Sequence, residues 1–150
     1  MNGAHWHLIL NHLPLIFPLV GLIVLIIGFI SKSEPVKRTA FLIFILGALA
    51  TIAAMATGEG AEDVAEKLTG VTKNYIHAHE EVAETFALLS YIIGLGSLLA
   101  IWASMMKKSF SNSISICLLA FALVMMFFAK KTGTTGGEIR HEEIRPDFQK

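Results

Sequence analysis

The stretch Leu8-Ile-Leu-Asn-His-Leu-Pro-Leu-Ile-Phe-Pro-Leu-Val-Gly-Leu-Ile-Val-Leu-Ile-Ile-Gly-Phe-Ile30 holds a single ionisable side chain, His12. A bilayer core about 30 Å thick takes roughly 20 apolar residues of helix to cross, because only a helix or a closed barrel pairs every backbone polar group without water. The run meets that length. Three more follow at about 39–57, 82–105 and 110–129. The pattern predicts one all-α domain, an integral membrane four-helix bundle, with residues 130–150 as an extracytoplasmic tail.

Composition agrees with this reading. Of 150 residues, 54% are hydrophobic and 16% charged, against about 25% charged in soluble domains. The net charge is zero, so no basic field is present to hold nucleic acid. The lone cysteine, Cys117, lies inside an apolar run. The residues ahead of the first span, Met1-Asn-Gly-Ala-His-Trp-His7, lack the positive start of a signal peptide, and no Ala-x-Ala site follows. That span is therefore expected to stay in the mature protein.

The loop Ser31-Lys-Ser-Glu-Pro-Val-Lys-Arg38 and the loop Met106-Lys-Lys-Ser-Phe-Ser-Asn-Ser113 are both short and basic. The positive-inside rule makes them cytoplasmic and both termini extracytoplasmic, although Lys130 and Lys131 run against it. All six histidines and eleven of the twelve acidic residues then share the opposite face, with Glu34 the exception. The chain also echoes itself. His12 opens span one and Thr57-Gly-Glu-Gly60 closes span two, while His79 opens span three and Thr132-Gly133, then Gly136-Gly-Glu138, close span four. Two hairpins related by an axis along the membrane normal would produce this, with a site between the halves.

Several residues at that face suit a site. His12 is the deepest histidine, with Leu8, Leu15, Ile16 and Leu19 as helical neighbours and Pro14 and Pro18 bending the axis below it. Ionisable groups in a span are expensive to keep. His79 shares a face with Ile76, Val82, Ala83 and Phe86, whereas His77 faces Lys73, Glu81 and Glu84. Residues 61–68 alternate as a short amphipathic interfacial helix between spans two and three, with Glu62, Asp63, Glu66 and Lys67 on its polar face. The glycines at 133, 136 and 137 allow the tail to fold back and carry His141 toward His12 and His79.

His12, His79 and His141 are accordingly the predicted metal ligands, with Glu80, Glu62 and Glu143 as additional ligands or as orienting groups behind them. Such a set suits iron, copper or zinc. Two histidines from different helices could instead ligate haem b axially, with Gly47, Ala50, Ala53, Ala54, Gly94 and Gly96 admitting the macrocycle. The same small residues also serve close helix packing. No motif of fixed ligand spacing is present.

The segments Leu10-Asn-His-Leu-Pro14, Thr57-Gly58 with Ala61-Glu62, His79-Glu80, and Gly136-Gly-Glu-Ile-Arg-His-Glu-Glu-Ile144 resemble small four-span bacterial membrane proteins grouped as a domain of unknown function. Haem or metal binding has been suspected for that group. The resemblance implies a multi-pass protein of the bacterial inner (cytoplasmic) membrane, and it brings no established activity.

Two function classes follow. One is a redox-metal protein passing electrons within a respiratory assembly, with other membrane subunits as partners. The other is a structural or accessory subunit with no cofactor of its own, whose polar face docks a larger complex. A proton relay is disfavoured, since spans two and four carry no ionisable residue besides Cys117. Single cysteines placed at positions 12, 79 and 141 in a Cys117→Ser background should all react with an impermeant thiol reagent from one side of the membrane. Labelling split between the two sides would remove the shared face.

Overall fold

The computed structural model describes residues 3–148. It contains five α-helices: α1 (Gly3–Leu10), α2 (Leu13–Ile30), α3 (Glu34–Ala65), α4 (Lys73–Met105) and α5 (Ser111–Arg140), then a short 3-10 turn at Glu142–Ile144. No strand occurs among the described residues. Four helical segments are long and apolar enough to cross a membrane. Neighbours in sequence pack side by side, and α2 also meets α5, which closes α2 to α5 into an up-and-down bundle. The short α1 lies against α3.

The chain reverses in two matching turns. At Lys32, Ser33 N–H reaches the Gly28 carbonyl and Lys32 N–H reaches that of Phe29; at Lys107, Lys108 N–H reaches Ala103 and Lys107 N–H reaches Ser104. Both are Schellman ends, in which a left-handed residue satisfies the last helical carbonyls. Lysine takes that position in both, with φ of 52° and 49°. Each hairpin thus ends in the same turn, about half the chain apart.

Contact between helices runs through small residues. A Cβ on Gly21 would lie 2.7 Å from the Phe44 ring, one on Gly94 2.6 Å from Ala48 Cβ, and one on Gly96 2.8 Å from Leu118. Gly47 seats Pro18. Of the small residues proposed to admit a macrocycle, Gly47, Gly94 and Gly96 are therefore used in direct helix contact. Leu25, Phe41, Phe44, Ile93, Ala100 and Met125 fill the interior. Within it the Thr51 and Ser90 hydroxyls meet at 2.9 Å, joining α3 to α4. Leu19, Ile23, Leu46, Leu49, Leu95, Leu98 and Phe127 point outward and are exposed. Such an apolar belt is costly in water and suits hydrocarbon.

Three expectations need correction. The first helix is not continuous: it breaks at Asn11–His12, and Pro14 opens α2 as one of its first two residues, where a missing N–H costs nothing. Residues 61–65 are the end of α3, and 66–70 form turns, so no separate interfacial helix lies there. Residues 130–140 continue α5 through all three glycines instead of folding back after span four.

Gly94→Leu should lower the unfolding midpoint in detergent, by about 1–3 kcal/mol of overpacking, because the methyl of Ala48 has no rotamer to escape into. Gly58→Ala, where nothing lies within 4 Å of the added atom, should be near neutral. Equal midpoints for the two variants would refute this account of the α3–α4 contact.

Candidate functional site

At the end of the bundle opposite the two lysine turns, α1, α3, α4 and α5 rise together. Gly3 and Gly60 bring α1 and α3 into backbone contact, for a Cβ on Gly3 would lie 2.8 Å from the Gly60 Cα. This approach sets His7 against the end of α3. Its Nδ1 lies 3.1 Å from the Ala54 carbonyl and 3.2 Å from Thr57 Oγ1. A carbonyl only accepts, so Nδ1 carries the proton and Nε2 keeps its lone pair. Thr57 spends its own hydrogen on the carbonyls of Ala53 and Ala54.

The second hairpin repeats the arrangement. His79, near the start of α4, places Nδ1 3.2 Å from Thr135 Oγ1 on α5. The Thr135 hydroxyl is also within reach of the carbonyls of Lys131 and Thr132, and the Thr132 carbonyl accepts from the His79 ring as well. Gly136 leaves room for the ring, since a Cβ there would sit 3.0 Å from His79 Cε1. Each hairpin therefore carries a histidine at its start locked to a Thr-Gly pair at its end. The two imidazoles lie within electrostatic reach of one another.

The carboxylates gather beside this pair. Glu62 on α3 faces Glu80 on α4 within hydrogen-bonding reach, and His77 Nδ1 lies 3.0 Å from Glu80 Oε2. The arrangement ties α3 to α4 just beyond the apolar segments. Lys73 also reaches Glu66, at 2.8 Å.

The tail docks, but not on the histidines. Arg145 donates to the carbonyls of Glu138, Ile139 and Gly70 and stacks 4.5 Å over the Tyr75 ring. Tyr75 donates to Asp147 at 2.7 Å. These contacts strap the tail across the α3–α4 connection, whose turn at Gly70 uses a positive φ of 82°. The Tyr75 hydroxyl, helped by Arg145, holds the Asp147 carboxyl below its usual range. His141 stays exposed and pairs with Glu143 at 3.0 Å.

The predicted site residues are thus dispersed. His12 ends on the exterior as the residue preceding α2, with no capping bond from its side chain. His79 is half-buried in the bundle end, and His141 lies out on the tail beside Glu143. Glu80 and Glu62 face one another. No group of three or more His, Cys, Asp or Glu side chains placed to hold a metal ion occurs among the described residues. His7 is the partner that sequence reasoning passed over. Treating 8–30 as one continuous helix made His12 the inward residue, whereas the break before Pro14 gives α1 its own phase. A helix opening at Pro14 was the signal that could have found it. No protein-family description, curated protein or solved structure matches this chain.

Asp147 supplies a pH test of the strap. Its carboxyl is held low in the folded protein, so its contribution to docking is complete above the ordinary aspartate range of about 3.9 and is lost as pH falls through the depressed value. Carbon-13 NMR of the Asp147 carboxyl should show the low midpoint, and Tyr75→Phe should return it toward the ordinary one. An ordinary midpoint in the unaltered protein would dismiss the strap.

Proposed function

We propose that this chain is a small inner-membrane redox protein that holds haem b between His7 and His79 at the extracytoplasmic rim and passes electrons within a respiratory assembly. The observation that carries the reading is the repeated lock. The imidazoles come from different helices and each has Nδ1 hydrogen-bonded to a threonine hydroxyl; on His7 the Ala54 carbonyl takes the Nδ1 proton and leaves Nε2 its lone pair, the kind of second bond that orients a metal-binding imidazole. A pair of histidines from different helices would suffice to hold haem iron, and His7 and His79 would be that pair. A closed non-haem site takes four ligands, and the described residues hold no group even of three. Haem, when bound, supplies one-electron chemistry.

The chain's own part is positioning. The Thr57 and Thr135 hydroxyls orient the rings, and Gly60 and Gly136 let backbone and ring approach. Glu80 lies close enough to His79 for its charge to act on the ring, and Glu62 faces Glu80. The basic turns at Lys32 and Lys107 support a cytoplasmic placement for the other end.

Purified protein, produced with haem supplied, should show a Soret band that shifts on reduction, with one iron per chain. His7→Ala and His79→Ala should each abolish or strongly weaken the band, and His12→Ala should leave it. A colourless, iron-free protein that co-purifies with a larger membrane complex regardless of these changes would put the accessory-subunit reading in its place.

A further inference from the structure

At the end opposite the histidines, Glu34, Arg38, Ser104, Lys107, Lys108 and Ser111 line a groove of about 350 Å³ between the start of α3 and the α4–α5 turn. We propose that this groove binds the phosphate headgroup of an anionic phospholipid of the surrounding membrane. The proposal rests on the bundle lying in a bilayer, and it is independent of whether haem is bound.

Charge is the first argument. Lys32, Lys37, Arg38, Lys107 and Lys108 cluster at this end against a single carboxylate, Glu34. That carboxylate is already engaged, by an ion pair with Lys37 and by the Ser104 hydroxyl at 2.9 Å. No carboxylate lies within ion-pair distance of Lys107 or Lys108 among the described residues. Basic recesses between helices at the cytoplasmic side are suited to anionic headgroups.

Rigidity is the second. Arg38 lines the groove and is held in place, with Nε donating to Ser104 Oγ at 2.8 Å and Nη2 to the Ser104 carbonyl at 3.2 Å. The left-handed turn sets the backbone at Lys107, which places the start of its side chain at the groove. Ser111, with its N–H on the Lys108 carbonyl, begins α5 at the edge of the same recess.

The apolar surroundings choose a lipid over free phosphate. Trp102, Met105, Met106 and Phe110 are exposed next to the groove, and Lys108 Nζ sits 5.5 Å over the Trp102 ring. Acyl chains could lie along this face while the headgroup meets the cations. Inorganic phosphate would leave these side chains without a role.

The test is native mass spectrometry of the full chain titrated with phosphatidylglycerol, phosphatidylcholine or inorganic phosphate. Retention of phosphatidylglycerol over phosphatidylcholine is expected. The double change Lys107→Gln with Lys108→Gln should weaken it about thirtyfold, while Lys130→Gln with Lys131→Gln at the other end should not. Equal retention of the two lipids, an unchanged preference in the 107/108 variant, or competition by millimolar phosphate as effective as by lipid would each overturn the proposal. The absorption spectrum reads the haem site separately, so either idea can fail alone.

Discussion

In hydrocarbon, one helix gains nothing by burying leucine against another, because the lipid tails are equally apolar. Association then depends on close backbone approach and on polar contacts that lipid cannot replace. Both are written into this bundle. Gly21 against Phe44, Gly94 against Ala48 and Gly96 against Leu118 bring the helix axes together, and Thr51 with Ser90 adds a hydrogen bond where no water competes. The arrangement of both ends follows from that tight middle, since the helices leave it with fixed spacing and direction.

The four long apolar helices were legible because hydropathy over 20 residues is a summed signal that no single side chain can spoil. Their ends were not. Residues 130–140 carry three glycines and several threonines, which read locally as a flexible exit, yet they remain helical. Tertiary contact explains it: the missing side chain at Gly136 is the space His79 occupies, and Gly137 meets Ile144. Glycine here serves approach, and its cost to the helix of up to about 1 kcal/mol per residue is offset by what it admits. The tail was expected to dock and does, but its anchor is Arg145 on Gly70 and Tyr75, a pairing that no periodicity encodes.

The candidate site was legible at the level of which face and which motifs, and illegible at the level of which histidine. The internal echo joined His12 to Thr57-Gly-Glu-Gly60, and His79 to Thr132-Gly133 and Gly136-Gly-Glu138. The structure gives the echo a physical content, a ring nitrogen hydrogen-bonded to a threonine hydroxyl in each half. Within the first half the partner is His7 and not His12. Five residues of helix amount to about 500° of rotation, so an error in helix continuity is enough to turn a side chain from the interior to the outside.

The matched turns extend the same argument to the whole chain. A lysine in left-handed conformation is disfavoured by roughly 1–2 kcal/mol, and glycine would relieve it at either place. Two hairpins nevertheless use lysine at the same Schellman position. Threonine locks at one end and lysine turns at the other give each half the same polarity, a basic turn toward one surface and an imidazole toward the other. Two such halves packed side by side bring one threonine-bonded imidazole from each to the same end of the bundle, so the internal echo of the sequence is an echo of packing as well.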